Sequence, residues 1–312
     1  MTGVGLGDLT YTPQVISNQL IADINNNETQ QASLENQISS GSVISKPSDN
    51  PALAAQLLTL QASNTRAQQY VSNANTGVGW LQQGTSTVNE VLQTLQSVES
   101  AVESVSGEAL TGQSSATQAI ASQVASSIQQ LLGLANTTYD GQPIFAGTAL
   151  SAYDSNGNYL GASQTPSQTV GPGVVVPIAI TGDQIFGPND ASGLLYGAGQ
   201  TSGTVGVLQQ IVNDLTNGNV SAATTTDLSS LQSAMQTVES AGGQLGAWYQ
   251  SMQTFSSEAT ATQQALQTQY TNASATNLPQ AMTNLTAAQN DFQAALWAVS
   301  QVSQTSLVQF LS

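Results

Sequence analysis

Between Leu53 and Val102 the chain carries one seam whose positions alternate at spacings of four and three: Leu53, Leu57, Leu60, Asn64, Ala67, Val71, Ala74, Val78, Leu81, Thr85, Val88, Leu92, Leu95, Glu99 and Val102. That period keeps one face of an α-helix turned toward a partner along its whole length, and no strand can satisfy it. At 1.5 Å per residue the helix would run for about 75 Å, longer than the diameter of a compact domain. A chain built on such an element must be elongated, and its other helices must lie along the long one.

The flanking segments supply candidates. Upstream, Leu20, Ile24, Asn27, Gln31, Leu34 and Ile38 repeat the same spacing with two polar positions, and a break over Gly41 to Pro51 separates them from the long seam. Downstream, Ile120, Val124, Ile128, Leu131 and Ala135 predict a shorter helix that folds back as a hairpin. Val207, Leu208, Ile211, Val212 and Leu215 mark a short helix stopped by Asn217-Gly218. Leu228, Leu231, Met235, Val238, Leu245, Trp248, Met252 and Phe255 open a second long helix reaching to about Ala275. The last helix starts near Leu278-Pro279, with Leu278, Met282, Leu285, Phe292, Leu296 and Val299 in heptad register and Gln289 as the polar exception.

Residues 140–203 have another texture, rich in Gly, Pro, Tyr and Val. Asn156-Gly157 between Tyr153 and Tyr159 predicts a tight hairpin turn, and Val174, Val175, Val176, Ile178 and Ile180 form a β-branched run that Pro177 limits to an edge strand. The expected fold is mainly α, an elongated antiparallel helical bundle or coiled coil built from both termini, with a small β-rich domain inserted in the middle. The expected divisions are a terminal helix over 1–40, a long-helix hairpin over 41–139, the β-rich insertion over 140–203, the returning part of the helical core over 204–277, and a last helix over 278–312.

Composition narrows the chemistry. Across 312 residues there is no cysteine and no histidine, so disulfides, thiolate nucleophiles and the commonest general base and metal ligand are all excluded. Lys46 and Arg66 face 18 acidic residues, a formal net charge of -16, which speaks against nucleic acid and against anionic membrane surfaces. No window is apolar enough to span a membrane. Charged residues make up 6% of the chain, so solubility rests on Ser, Thr, Gln and Asn, and an acidic external medium is the expectation from so few bases. The N-terminal run MTGVGLGDLTYTPQV has neither the positive start nor the continuous apolar stretch of a secretory signal.

Individual motifs offer little catalysis. Asp154, Asn156 and Asn158 alternate as in a calcium loop, but the glycine falls at the fourth position and Thr165 stands where a bidentate Glu is needed, so a hairpin turn is expected. Glu99 and Glu103 lie one helical turn apart with Glu108 following, which reads as a solvated helix end rather than an acid–base pair. GVGLG at 3–7 precedes any element that could position a phosphate. Tyr153, Tyr159 and Tyr196 are the candidates for a carbohydrate platform, with packing as the simple alternative. No catalytic residue, cofactor or metal site is expected.

Four stretches resemble the flagellin superfamily, and within it the hook-associated protein 3 family. LENQISSGSVISKPSDNPALAAQ at 34–56 is similar to the family's N-terminal signature. ANTTYDGQPIFAGT at 135–148 resembles the passage out of the helical hairpin, and GGQLGAWYQSMQ at 242–253 the opening of the C-terminal helical stretch. NLPQAMTNLTAAQNDFQAALWAVSQVSQTSLVQFL at 277–311 is similar to the closing helix with its "SL-x-x-F/Y-L" end. Ser42 and Gly243 stand where the family usually has Lys and Arg, and Asn50 where a second Asp is common.

The resemblance implies a subunit of the hook–filament junction, exported unfolded through the flagellar apparatus with no cleaved signal and helped in the cytoplasm by an export chaperone. It would self-associate as a ring between hook-associated protein 1 and the flagellin filament, its insertion facing outward. The implied assembly interface lies on the terminal helices, at Leu20, Ile24, Leu34, Ile38, Leu285, Phe292, Leu296, Val299, Leu307 and Phe310. Flagellin itself, or another secreted structural or adhesive relative, is the competing reading.

Overall fold

The computed structural model describes residues 13–106 and 114–311. The described residues form eight α-helices: α1 Pro13–Ser40, α2 Pro51–Ser104, α3 Ser114–Ala135, α4 Gly182–Phe186, α5 Val207–Thr216, α6 Val220–Ala222, α7 Leu228–Ser274 and α8 Leu278–Leu311. A single π-helical turn, Ala223–Asp227, joins α6 to α7. Two small antiparallel hairpins complete the secondary structure, β1 Thr138–Tyr139 with β2 Gln142–Pro143, and β3 Ser167–Gly171 with β4 Val174–Pro177. The chain divides into two compact units, residues 65–263 and a second made of residues 1–64 and 264–312.

Helix α2 begins where local chemistry dictates. Asn50 accepts the Leu53 amide through its side-chain oxygen at 3.1 Å, and Pro51 follows at the first helical position, where a missing N–H costs nothing. Over its 54 residues every position of the heptad seam, including Asn64, Thr85 and Glu99, is buried or half-buried.

In the 65–263 unit a second buried row runs beside the first: Gly77, Trp80, Gly84, Thr87, Val91, Thr94, Val98, Ala101 and Val105. The glycines allow close helix packing, since a Cβ on Gly77 would stand 2.6 Å from the Met252 methyl of α7. The buried threonines silence their hydroxyls on their own helix, Thr87 donating to Gln83 O and Thr94 to Glu90 O, both at 2.9 Å. Most Ser and Thr of the other helices do likewise, Ser122, Ser126 and Thr254 among them.

The stripe of α3, with Val124, Ile128, Leu131 and Ala135, enters the same apolar cluster as Leu81, Val88 and Leu95 of α2 and Leu231, Val238 and Leu245 of α7. Helix α5 packs on α3 and ends at Asn217. There the Gly218 amide donates to Leu215 O and the Asn219 amide to Asp214 O, with Gly218 at φ +80°, so the anticipated Asn-Gly stop is a Schellman turn.

Segment 140–203 contributes to this cluster as well. Ile144, Phe145, Ala152, Tyr153, Ile178, Ile180, Ile185 and Phe186 are all buried in it. Phe186 meets Phe145 and Tyr153 edge-on, with ring centroids 6.0 and 5.6 Å apart. Asp140 and Gly141, both at positive φ, turn the β1–β2 hairpin. Pro177 ends β4 opposite Ser167 in a two-stranded sheet, where both strands are edges.

Candidate assembly surface

The surface is built from the two ends of the chain. Gly41, at φ +68°, closes α1 by donating its amide to Gln37 O at 2.9 Å. From there the backbone pairs with the segment between α7 and α8: the Val43 amide donates to Ser274 O at 2.8 Å, the Thr276 amide to Gly41 O at 2.9 Å, and Ser42 forms an antiparallel bridge with Ala275. This clamp brings the end of α1 to the start of α8, so the two packed helices run antiparallel. Ser42 serves it through backbone geometry, and its hydroxyl donates to Ile44 O at 2.9 Å.

The PSDN sequence at 47–50 is structural. Asp49 accepts the Ser45 and Lys46 amides at 3.0 and 2.8 Å, tightening the loop, and Asn50 caps α2. Asn277 repeats the device before α8, accepting the Gln280 amide at 3.3 Å.

On α1 the row Leu20, Ile24, Asn27, Gln31, Leu34 and Ile38 is the inward one, with Leu34 buried and the rest half-buried. On α8 the inward row is Ala281, Leu285, Ala288, Phe292, Ala295 and Val299. Leu285, Phe292 and Val299 therefore sit in the packed row, while Leu296 is exposed, as are Leu278 and Met282. Alanine is the residue that a search for large apolar side chains passes over. The α8 backbone reaches Leu311, and the side chains of Leu307 and Phe310 lie outside the described residues.

Large apolar side chains consequently remain in water. Among the described residues those with high exposure are Val15, Ile21, Leu58, Leu278, Met282, Leu296 and Trp297 in the terminal unit, against Leu150, Leu160 and Val175 in the other. Trp297 is 69% exposed and Met282 56% exposed. All of these exposed residues in the terminal unit except Leu58 of α2 stand on α1 or α8, and exposed apolar groups on a helix pair suit contact with another protein chain. The surface offers van der Waals area and amide hydrogen bonds.

The remaining sequence candidates lie in the 65–263 unit, apart from GVGLG and Glu108, which fall outside the described residues. Asp154 accepts the Asn156 and Asn158 amides and the Asn158 side chain at 2.9, 2.9 and 2.7 Å, so its oxygens serve its own turn. Burial opposes ionisation of Asp154, and those hydrogen bonds outweigh it and hold the carboxyl below its usual value. Tyr153 and Tyr159 bridge across the turn as expected. They are not a carbohydrate platform: Tyr153 is buried against Phe186, and the Tyr159 hydroxyl lies 3.1 Å from both Phe145 O and Ala162 O. Burial first, then the charge of Asp183, pushes the Tyr159 phenol up to about 12, and burial raises Tyr153 further. Tyr196 is half-buried. Glu99 accepts Gln232 Nε2 at 2.8 Å, joining α2 to α7, while Glu103 is exposed.

Residues 12–149 match the family described as the bacterial flagellin N-terminal helical region. Over 182 residues the chain is 26% identical to flagellar hook-associated protein 3 of Escherichia coli strain K12, a stretch covering 57% of this chain and 57% of that protein. The namesake of Salmonella typhimurium matches to the same extent. The chain thus spans less than two thirds of the length of the curated relatives it matches. Among solved structures, a Vibrio parahaemolyticus protein assigned as flagellar hook-associated superposes with a TM-score of 0.62 at 17% identity, over 73% of this chain and all of that one. FlgL of Bacillus cereus superposes with a TM-score of 0.54 at 19% identity, over 68% of this chain and 99% of that one. These superpositions establish the helical fold with its small β insertion.

Proposed function

We propose that this chain belongs to the flagellin superfamily and is a structural subunit of the bacterial flagellum placed at the junction between hook and filament. The observation that carries the reading is the pair of terminal helices, α1 and α8, which leave Val15, Ile21, Met282, Leu296 and Trp297 in water. A helix pair with that much open apolar surface completes its burial against neighbouring chains. In this reading the partners are hook-associated protein 1 on one side and flagellin on the other, copies of the chain form a ring, and residues 140–203 project outward. Export proceeds unfolded, with no cleaved signal, and a cytoplasmic chaperone shields the ends. The role is mechanical rather than catalytic, in keeping with a chain that has no His or Cys.

Deletion of the gene, followed by electron microscopy and assay of the medium, tests the proposal. Hooks lacking filaments, with flagellin monomers shed into the medium, are the expected result. Intact filaments would overturn it, and filaments grown by the purified chain alone would point to flagellin instead.

A further inference from the structure

Asp214, in the last turn of α5, and Asp227, at the end of the π turn, are both buried, with 9% and 7% of their surface exposed. We propose that the two form a proton-locked clasp: a single proton held between their carboxyl groups ties the end of α5 to the π turn that opens α7, and its loss loosens this corner of the core. The inference stands apart from the flagellar reading, because it concerns the fold of the 65–263 unit alone.

The two carboxyls are unequally served. Asp214 has an amide donor on each oxygen, Gln210 Nε2 at 3.0 Å on Oδ2 and Asn219 Nδ2 at 3.1 Å on Oδ1, and its backbone carbonyl accepts the Asn219 amide at 2.7 Å. Asp227 Oδ2 is buried with no hydrogen-bond partner, on the π turn that packs against α5, and Asp214 of α5 is the charged group that acts on it. A bare carboxylate in that position would meet both a desolvation cost and a like charge. A carboxylic acid there resolves both, donating its O–H to the amide-stabilised partner, as in other close carboxyl pairs.

No base is at hand to replace the proton. Neither Lys46 nor Arg66 lies on α3, α5, α6, the π turn or α7. The elements packed against the π turn are α5, whose one titratable group is Asp214, and α6, which has none. On α2, Glu99 accepts from Gln232 of α7 and Glu103 is exposed, and both are acidic. Helix α3 carries no titratable side chain, and the next acidic residue on α7, Glu239, is exposed.

The direction of the pH effect follows from linkage. Burial, then the hydrogen bond and charge of Asp214, raise the Asp227 carboxyl from 3.8 to about 7. The folded chain holds this proton more tightly than the unfolded chain. The stabilisation is therefore complete below about pH 4 and is lost as pH rises through about 7, at up to tenfold in the folding constant per pH unit. Asp154 and Asp190 do not mask the window, since both are held below the ordinary carboxyl value.

Urea unfolding of the full chain between pH ~4.5 and ~7.5, for the wild type and for Asp227→Asn, is the test. The wild type should lose stability across that range with a slope near one proton, and the amide of Asp227→Asn, which imitates the protonated acid, should remove that component of the slope. An unchanged slope in Asp227→Asn overturns the proposal. Should that variant fail to fold, carboxyl-carbon NMR of the wild type decides: a titration well above the bulk carboxylates supports the clasp, and titration with the bulk overturns it. Stabilisation of the wild type by calcium at neutral pH, abolished in Asp227→Asn, would make the pair a cation site and also overturn it.

Discussion

The two units bury their apolar residues to very different degrees. In residues 65–263 the helices α2, α3, α5 and the start of α7 share one cluster with the 140–203 insertion, and Leu81, Leu95, Leu131, Phe145 and Leu208 are wholly enclosed. In the terminal unit most inward positions of α1 and α8 are only half-buried, two on α1 are Asn27 and Gln31, and large side chains such as Trp297 stay outside. The lesson is energetic. A region that encloses its side chains can offset the entropy of ordering by itself, whereas a helix pair with a half-open seam needs additional surface to do so.

The largest test of that contrast is to cut a cavity in each unit. Leu95→Ala should cost about 4 kcal/mol in urea unfolding, because its surroundings are fully packed and cannot relax into the space. Leu34→Ala on α1 should cost about 2 kcal/mol, since water and neighbouring side chains can enter a half-open seam. Equal losses would erase the distinction. Next in size, Gly77→Leu should destabilise by about 2–3 kcal/mol, by driving the added side chain into Met252, and the melting temperature would report it.

A smaller effect is expected where α2 begins. Asn50→Ala removes the cap over the Leu53 amide and should cost about 1 kcal/mol by thermal unfolding, while Asn50→Asp should cost little, because either side chain can accept that hydrogen bond. Smallest in stability and largest in consequence is the double change Leu296→Ser with Trp297→Ser. Both residues are exposed, so the isolated chain should unfold within ~0.5 kcal/mol of the wild type. Under the proposed role, motility and sedimentation of the assembled particle should nevertheless collapse.

Much of this was legible in the sequence because period and burial coincide. Every position of the Leu53 to Val102 seam lies inward, α7 ends at Ser274 where the pattern fades near Ala275, and Asn217-Gly218 stops α5. The second buried row of α2 was hidden because Gly77, Gly84, Thr87 and Thr94 are there for close approach, and their hydrophobicity gives no signal. The same blindness to small residues conceals Ala281 and Ala288 on α8 and puts Leu278 and Met282 in their place.

Other features depend on contacts between residues distant in sequence. Nothing local marks Asp214 and Asp227 as neighbours, and the π turn between them has no sequence signature. The β1–β2 hairpin did leave a signal, Asp140-Gly141, in a stretch too short for strand periodicity to register. Of the candidate surface, the α1 row was readable from heptad spacing, whereas the outward apolar residues could be separated from the inward ones only once the helix pair was seen.

Amide hydrogen exchange of the chain, free in solution and within the assembled particle of the proposed role, tests the central claim most directly. The account predicts that α1 and α8 in the free chain exchange at least ~100-fold faster than α2, α3 and the first half of α7, and that the particle closes this gap. Terminal helices already as protected as the α2 core in the free chain, and unchanged in the particle, would contradict it.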